Sequence, residues 1–411
     1  MIRRLDSGQL LAVREAWRAL WLSRLVVWGA GIFAFLKLGG ASVAEVPPVA
    51  QTSNFGFTLL TRPAVAYDSA NYLTIARDGY SYLDLTAFYP LYPALISGAG
   101  TIVRSDIFAG IGLSIASFAV ALYLLHRLVQ LELGDAHART TVLVMAFFPT
   151  ALFFSAVYTE GLFLALSVGA FYSARRGWWA RAAVLAMLAS ATRNTGVLLL
   201  LPLVVMYLHG PRENPAPGPR IRPNFAWLAL VPLGLAAFFV YLHFHTGDAF
   251  TSFTATKEIW GRETEPLAGL WQGAEAAARS LAQIAAPSSD SLPTDTYENT
   301  GDLSNPLVLA QVNLLDFAFL AFAIVACVGA LRRLPLAYGL YAAAGIVVPL
   351  SAPAPYEPLM SMPRYLAVLF PLHIWLALQL GRGRRLEAAL VAMGALLALL
   401  AAEFANYNWV A

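Results

Sequence analysis

Four charged residues stand at or near the ends of long apolar stretches in the sequence, and they could do chemistry together: Asp68, Glu160, Arg193 and Arg364. A carboxylate can take a proton from a hydroxyl group, and an arginine presents a fixed fork of donors that suits phosphate or carboxylate oxygens. Charged groups at membrane depth are unfavourable, so they tend to face a cavity or a partner. The simpler alternatives are solvated loop charges or structural ion pairs, with Arg193 or Arg364 clamping Glu160 or Asp68.

Each of the four residues lies in a short polar segment between apolar blocks. Asp68 belongs to the polar island 66–93, whose other aspartates, Asp78 and Asp84, are interpreted as structural or solvated residues. Glu160 lies at the tip of a short hairpin, and Arg193 lies between two short apolar halves. Arg364 follows Pro363, which is favourable in the first turn of a helix. If all four segments face the same side of a membrane, the charges share one polar cavity.

Composition indicates a membrane protein. The chain has 411 residues, of which 59% are apolar and 12% charged, and its mean hydropathy is +0.63. A soluble protein of this size carries about twice that share of charged residues. Because lipid requires backbone polar groups to be satisfied within each helix, the sequence predicts an all-α polytopic membrane protein with about eleven spans. The spans are expected at 15–38, 106–128, 138–155, 161–175, 178–191, 195–208, 225–245, 307–330, 335–351, 365–381 and 387–404.

Basic residues predict the orientation of these spans. With the N-terminus inside, most of the arginines fall on inner segments, as the positive-inside rule requires. All of 1–411 is then one membrane domain with two sizeable outer regions, 39–105 and 246–306. We expect the stretch 88–103 to be re-entrant or interfacial. The region 246–306 combines the helix-prone piece 267–286 with the polar run 288–305, and it could close over a cavity on that face.

Other function classes find little support. The net charge of +3 is too small to argue for nucleic acid, and the single cysteine, Cys327, excludes an intramolecular disulfide. No motif of a soluble nucleotide-binding or zinc enzyme is present. His243 and His245 are a weak metal signal, and the acidic run at Asp290, Asp295, Glu298 and Asp302 is more typical of a solvated loop. We therefore expect no metal site and no cofactor.

An outward carboxylate with arginines in a lipid-bounded cavity suits transfer of a sugar from a lipid-phosphate donor. The carboxylate deprotonates the acceptor hydroxyl, and cationic groups stabilise the departing phosphate. A transporter or flippase of a lipid-linked or anionic substrate is the alternative, and a structural subunit is a third. A transporter is expected to place more polar residues midway through its helices, where this chain has few, among them Arg24 and Asp316.

Five motifs, in order along the chain, resemble the PIG-V family, which is the second mannosyltransferase of glycosylphosphatidylinositol assembly together with its bacterial relatives. Tyr67–Tyr80 is similar to W-D-x-x-x-Y-L-x-I-A-x-x-G-Y, with Tyr67 in place of the usual tryptophan. The other four are Phe88–Pro93 (F-F-P-L-Y-P), Tyr158–Glu160 (Y-S/T-E), Thr192–Gly196 (T-R-x-x-G), and Pro363–Tyr365 followed by Phe370–Pro371 (P-R-Y…F-P). The resemblance implies the C-type (GT-C) glycosyltransferase fold.

The resemblance also implies roles for single residues. Asp68 matches the first-loop aspartate and would be the general base of an inverting transfer, while Glu160 would orient the acceptor or an arginine. Arg193 and Arg364 would bind the donor phosphate. The expected cavity wall consists of Tyr67, Asn71, Tyr72, Tyr89, Tyr92, Tyr158, Asn194 and Tyr365.

The expected substrates and location follow from the same resemblance. The donor would be a polyprenyl-phosphate-linked hexose, with mannose expected, and the acceptor a lipid or glycan hydroxyl. The expected location is a bacterial inner membrane, with the N-terminus cytoplasmic and the site on the outer face. The acceptor of eukaryotic members is not carried over, because a bacterium has no glycosylphosphatidylinositol.

Overall fold

The structure, a computed structural model, describes residues 6–38, 47–52, 54–209, 221–286 and 306–410. In these ranges the regular elements are α-helices and short 3-10 helices, and no strand is found. The α-helices are α1 Ser7–Leu38, α2 Phe55–Thr61, α3 Asp68–Asp78, α4 Leu91–Val103, α5 Asp106–Leu133, α6 Asp135–Phe147, α7 Glu160–Arg175, α8 Trp179–Thr192, α9 Leu200–His209, α10 Leu233–Thr246, α11 Thr251–Trp260, α12 Ala268–Ala285, α13 Pro306–Arg333, α14 Leu336–Leu350, α15 Met362–Ala367, α16 Phe370–Leu380 and α17 Arg384–Ala405.

The helices confirm the all-α, multi-pass class predicted from the sequence. In the described part of the chain, five helical stretches are long and apolar enough to cross a membrane: Ser7–Lys37, Asp106–Leu133, Pro223–Thr246, Leu307–Arg333 and Arg384–Ala405. Five more are apolar but shorter: Leu91–Val103, Trp179–Thr192, Asn194–His209, Leu336–Leu350 and Phe370–Leu380. The number of eleven spans stays a prediction.

Several expected spans are interrupted, and prolines account for two of the breaks. Within the span expected at 138–155, the α-helix stops at Phe147. The next residue, Phe148, precedes Pro149 and adopts an extended conformation, which ends the helix. The span expected at 365–381 is divided into α15 and α16, and Pro371 lies in the first turn of α16. The span expected at 195–208 begins as the 3-10 helix Asn194–Leu199. Each break places irregular backbone beside a charged segment.

The two regions that the sequence places on the outer side contain helices of their own. Residues 39–105 hold α2, α3 and α4, so the stretch expected to be re-entrant or interfacial is largely helical. The region 246–306 holds α11 and α12, and α12 coincides with the helix-prone piece expected at 267–286. The polar run 288–305 with its four acidic residues lies outside the described residues, as do residues 210–220 of the inner loop.

Helix α7 lies at the centre of the bundle and is buried along nearly its whole length. It packs against α5 on one side and α8 on another, while α1 packs against α5 and α17. Glu160 is the first residue of α7, where a carboxylate is favoured by the helix dipole. The opposite end carries Arg175, whose Nε lies 2.5 Å from a carboxylate oxygen of Glu132 on α5. Ion pairs therefore stand at both ends of a central, buried helix.

Arg24 supplies hydrogen bonds to polar groups of the irregular segment after α6, inside the bundle. This arginine lies on α1 and is almost fully buried. Its Nη1 donates to the carbonyl of Ala151 at 2.9 Å and to the hydroxyl of Ser155 at 2.5 Å. Irregular backbone at membrane depth needs such partners because water is absent there. Arg24 thus has a structural role beneath the candidate site.

Candidate active site

The structure brings together the four charged residues that the sequence singles out. Nη1 of Arg364 donates to Oδ2 of Asp68 at 2.6 Å, and Nε of Arg364 lies 3.3 Å from Oε1 of Glu160. Nη1 of Arg193 donates to the same Glu160 oxygen at 2.7 Å. The charges therefore alternate along one network, in the order Asp68, Arg364, Glu160, Arg193. The ion pairs that the sequence left open as an alternative are present.

Asp68 is held by the segment that follows α6. The N–H of Val157 donates to the carbonyl of Ala64 at 2.8 Å, and the hydroxyl of Tyr158 donates to the carbonyl of Ala66 at 3.2 Å. These bonds fix the chain just before Asp68, which begins α3. Tyr67 adopts φ +51°, a conformation unfavourable for a residue with a side chain. Such strain persists only where the surroundings impose it, and it clusters at functional sites.

Arg364 is positioned by the same segment. The hydroxyl of Thr150 donates to the carbonyl of Pro363 at 3.0 Å, directly before the arginine. Ser361, which begins this turn, also has positive φ, at +65°. The residues just before Asp68 and just before Arg364 are therefore both hydrogen-bonded to the irregular connection between α6 and α7. This shared partner brings two distant parts of the chain together.

Arg193 lies in a bend between α8 and the 3-10 helix Asn194–Leu199. Gly196 makes the bend possible, because a Cβ at this position would lie 2.3 Å from the backbone of Ala189. The Arg193 guanidinium lies 5.2 Å from the centre of the Tyr365 ring, within the range of a cation–π contact. The bend directs Arg193 towards Glu160 on the neighbouring helix.

Burial and neighbouring charges shift the pKa values of Arg364 and Tyr72. Glu160 is 1% exposed, while Asp68, Arg364 and Arg193 are 16%, 13% and 11% exposed. Burial alone would lower the pKa of the Arg364 guanidinium, but the carboxylates of Asp68 and Glu160 raise it well above its ordinary value. Burial, Glu160 and Asp68 all raise the pKa of the Tyr72 hydroxyl. Arg364 is therefore a fixed positive charge, and Tyr72 is neutral.

A cavity opens beside the network. It holds about 1030 Å³ of empty space, including the open solvent at its mouth. Asp68, Arg193 and Arg364 line it, whereas Glu160 lies behind the wall. Its aromatic lining consists of Tyr72, Phe88, Tyr89, Phe253, Trp260, Tyr365 and Trp409. A polar ligand with an anionic group and a ring-shaped part would fit these walls.

The structure divides the eight residues expected in the cavity wall. Tyr72, Tyr89, Asn194 and Tyr365 line the cavity. The other four residues, all of them described, lie outside this lining. Tyr92 is fully buried, and its hydroxyl forms a hydrogen bond of 2.7 Å with the hydroxyl of Ser114. Tyr158 is buried behind the wall. Tyr67 packs against the Trp409 ring, and Asn71 lies on α3 outside the lining. Tyr92 on α4 and Tyr158 in the segment before α7 are instead buried within the bundle.

Among the lining residues that sequence reasoning missed are Trp260, Arg262 and Trp409. Trp260 is the last residue of α11 and Arg262 follows it by two residues, in the region that was expected only to close over the cavity. Trp409 lies close to the C-terminus, and its indole N–H donates to Oε1 of Glu357 at 3.2 Å. An arginine at the outer end of a helix could have been noticed, but nothing in the sequence indicates that the C-terminal tail reaches the cavity.

The expected weak metal signal at His243 and His245 has another explanation. Nε2 of His245 donates to the carbonyl of Tyr80 at 2.9 Å, which ties α10 to the segment after α3. Within the described ranges, no group of three or more histidine, cysteine or acidic residues could hold a metal ion. The His245 side chain is thus accounted for by this hydrogen bond.

Part of the chain is similar to known proteins. Residues 47–211 match the family model described as Mannosyltransferase (PIG-V). The PIG-V resemblance is confirmed over these residues. They contain Asp68, Glu160 and Arg193, while Arg364 lies beyond the matched stretch. The chain is also 35% identical over 111 residues to GPI mannosyltransferase 2 of Drosophila melanogaster, a match that covers only 24% of this chain and 24% of that protein.

Two solved structures of the Archaeoglobus fulgidus oligosaccharyltransferase were also found, one tethered to an acceptor peptide and one in the apo form. The first is 14% identical with a TM-score of 0.47, and the second is 15% identical with a TM-score of 0.46. The matches cover 95% and 94% of this chain, but this chain spans only 56% of either oligosaccharyltransferase chain.

Proposed function

We propose that the protein is a glycosyltransferase of the GT-C class that moves a mannosyl unit from a polyprenyl-phosphate donor to a hydroxyl of a lipid or glycan acceptor. The observation that carries the proposal is the alternating network of Asp68, Arg364, Glu160 and Arg193 at the edge of one cavity. The PIG-V match over residues 47–211 supports the sugar. Substrate, donor and acceptor are all parts of the proposal.

The reaction follows from the positions of the charges. Asp68 takes the proton of the acceptor hydroxyl as the hydroxyl oxygen attacks the anomeric carbon. The bond from that carbon to the phosphate oxygen breaks, and the phosphate leaves with the bonding electrons, so the configuration at the anomeric carbon inverts. Arginines at the departing phosphate stabilise its growing charge, which is the main catalytic effect in such a site. Atoms and charges balance without a further reactant.

Because Asp68 is paired with Arg364, the donor phosphate has a role besides carrying the sugar: its binding releases the base. Nη1 of Arg364 lies 2.6 Å from Oδ2 of Asp68, so the guanidinium occupies a carboxylate oxygen that the acceptor hydroxyl would need. A phosphate that binds Arg364 competes with the aspartate for the guanidinium and releases Asp68 for the acceptor. Glu160 keeps both arginines in place from behind the wall. Tyr72, Tyr89 and Tyr365 offer aromatic faces to a sugar ring.

The donor carries its own activation, so the proposal includes no cofactor and no metal. The polyprenyl chain stays in the bilayer while its phosphate enters the cavity. We place the protein in a bacterial inner membrane, with the N-terminus in the cytoplasm and the cavity on the outer face. Residues 39–105 and 246–306 then form the outer side of a single membrane domain.

The test is transfer of radiolabelled mannose from polyprenyl-phosphate-mannose by the purified protein to extracted membrane lipids and glycans. Wild type is compared with Asp68→Asn and with a matched control, Asp84→Asn, whose carboxylate is exposed in the same outer region. The proposal expects transfer to fall by about 100-fold or more in Asp68→Asn and to stay unchanged in the control. Equal transfer by Asp68→Asn would refute the role of the base. Donor binding without any transfer by wild type would favour a transporter.

A further inference from the structure

Arg262 is the third arginine of the cavity, and its partners differ from those of the other two. Its Nη1 donates to the carbonyl of Ala352 at 3.1 Å, and its Nη2 donates to the carbonyl of Met360 at 2.9 Å. Both acceptors are neutral. The adjacent acidic residue, Glu263, is 2.8 Å from Lys257 instead. In the part of the chain that the structure describes, no carboxylate lies within ion-pair distance of Arg262.

The local backbone holds Arg262 against the segment 352–360. Helix α11 ends at Trp260, and the next residue, Gly261, has φ +60° and donates its N–H to the carbonyl of Lys257 at 2.8 Å. A Cβ at Gly261 would lie 2.9 Å from Pro355, so only glycine permits this approach without a shift. Two carbonyls then fix the guanidinium plane at the cavity wall. The fork of donors is preorganised before any ligand arrives.

The charges of the cavity do not sum to zero. Asp68 and Glu160 balance Arg193 and Arg364 within one network. Arg262 adds a positive charge that this network does not neutralise. An anion must compete with a carboxylate to reach Arg193 or Arg364, whereas at Arg262 it displaces no ionic partner. Attraction of an anion is therefore strongest at Arg262.

Two buried carboxyl groups, Asp316 and Glu357, act on Arg262 from beyond ion-pair distance. Burial raises the pKa of Glu357 to about 7, against the lowering effects of the Trp409 indole, Asp316 and Arg262. Glu357 is consequently part-protonated near neutral pH and offsets the Arg262 charge only in part. The cavity keeps a positive potential at this wall.

Resting on the proposed function, we infer that Arg262 is the first ligand of the donor phosphate, ahead of Arg193 and Arg364. The phosphate meets Arg262 at the α11 wall and then draws Arg364 away from Asp68, which frees the base. Ser252, Thr256 and Trp260 line the same wall, so the region 246–286 is part of the donor site as well as its cover. Binding of the donor therefore precedes and causes the release of Asp68 as the base.

The experiment measures binding of polyprenyl phosphate, which lacks the sugar, to the purified full-length protein in lipid nanodiscs. Arg262→Gln removes the charge but keeps an amide that can donate to the Ala352 or Met360 carbonyl. Arg262→Lys keeps the charge but loses the fork. The matched control is Arg279→Gln on α12, which is 66% exposed and faces Glu275 at 3.7 Å. Thermal unfolding of each variant confirms that it is folded.

Arg262→Gln is expected to raise the Kd for polyprenyl phosphate by about tenfold or more, because a hydrogen-bonded charge pair is lost. Arg262→Lys should fall between Arg262→Gln and wild type, and Arg279→Gln should bind as wild type does. Added salt should weaken binding to wild type more than to Arg262→Gln. Equal binding by folded Arg262→Gln would overturn the inference and leave the proposed transferase intact.

Three other outcomes show whether the inference, the proposed function or both are wrong. If wild type binds polyprenyl phosphate through Arg262 but transfers no mannose, Arg262 stands as a phosphate ligand and the transferase proposal fails. If wild type does not bind polyprenyl phosphate even at saturating lipid, both the donor class and the role of Arg262 are wrong. Retained binding in Arg262→Gln together with loss in Arg364→Ala would assign the phosphate to Arg364.

Discussion

Asp68 and Arg364 are 296 residues apart in the sequence, yet Oδ2 of Asp68 accepts a hydrogen bond from Nη1 of Arg364 at 2.6 Å. Each lies shortly after a residue with positive φ, Tyr67 or Ser361. The backbone on both sides is therefore strained into position for this pair, at about 1–3 kcal/mol per residue. In the free protein the pair stabilises the site, and in the proposed reaction an anion must open it. The same contact thus serves both stability and control of the base.

Replacement of Arg364 tests this double role. Arg364→Ala leaves Asp68 and Glu160 without one cation, so we expect a loss of stability of about 3–5 kcal/mol, as for other buried pairs broken on one side. Donor affinity should also fall when it is measured on folded protein only, where unfolding cannot account for the change. Donor titration and thermal unfolding of the same samples separate the two effects. Unchanged donor affinity would assign the phosphate to another residue.

The two ends of α7 allow a matched comparison of stability with function. Glu160→Gln weakens the pairs with Arg193 and Arg364, and Glu132→Gln weakens the pair with Arg175 at the opposite end. Both carboxylates are nearly fully buried, so both variants should unfold at lower temperature. Only Glu160→Gln should reduce transfer per folded molecule. Similar transfer rates in the two variants would show that Glu160 is structural.

Gly196 shapes the bend that carries Arg193. Gly196→Ala should destabilise the protein by more than about 1–3 kcal/mol, because the added Cβ meets the backbone of Ala189 at 2.3 Å. The control is Gly112→Ala on α5, where a Cβ would have no atom within 4 Å. That change should be neutral or should stabilise the helix. Unfolding temperatures compare the two, and equal values would contradict the bend that the structure shows.

Glu357 predicts a dependence of stability on pH. Its folded-state pKa of about 7 lies above the ordinary value of 4.5, because burial disfavours the charged form. The folded protein thus binds more protons than the unfolded chain between these values. The stabilisation is complete below pH 4.5 and is lost as the pH rises to about 7. Glu357→Gln should flatten this part of the pH profile of the unfolding temperature, and an unchanged slope would assign it to other groups.

Cysteine labelling tests the proposed orientation. Asp84→Cys and Arg332→Cys place thiols at exposed positions on opposite predicted faces, in a Cys327→Ala background that removes the buried native thiol. An impermeant maleimide should label Asp84→Cys in intact cells and label Arg332→Cys only after the membrane is opened. The reverse pattern would place the cavity in the cytoplasm and would exclude a polyprenyl donor on the outer face.

Local patterns in the sequence predict much of the helical structure. Apolar length and the positions of prolines predict the multi-pass all-α class and most of the helix positions, because these depend on neighbouring residues. The helix-prone piece at 267–286 forms α12, for the same reason. The breaks after Phe147 and before Phe370 were missed, since an apolar run alone does not show where a helix is interrupted in a packed bundle.

The sequence by itself determined which residues could carry charge and chemistry: Asp68, Glu160, Arg193 and Arg364, each beside an apolar block. Only the tertiary structure decided their partners, because the ion pairs join residues up to 296 positions apart. It also decided that Tyr92 and Tyr158 are buried and that Arg262 and Trp409 reach the cavity. The physical reason is that local preferences fix helices, whereas packing around α7 and the irregular segment before it fixes which helix ends meet.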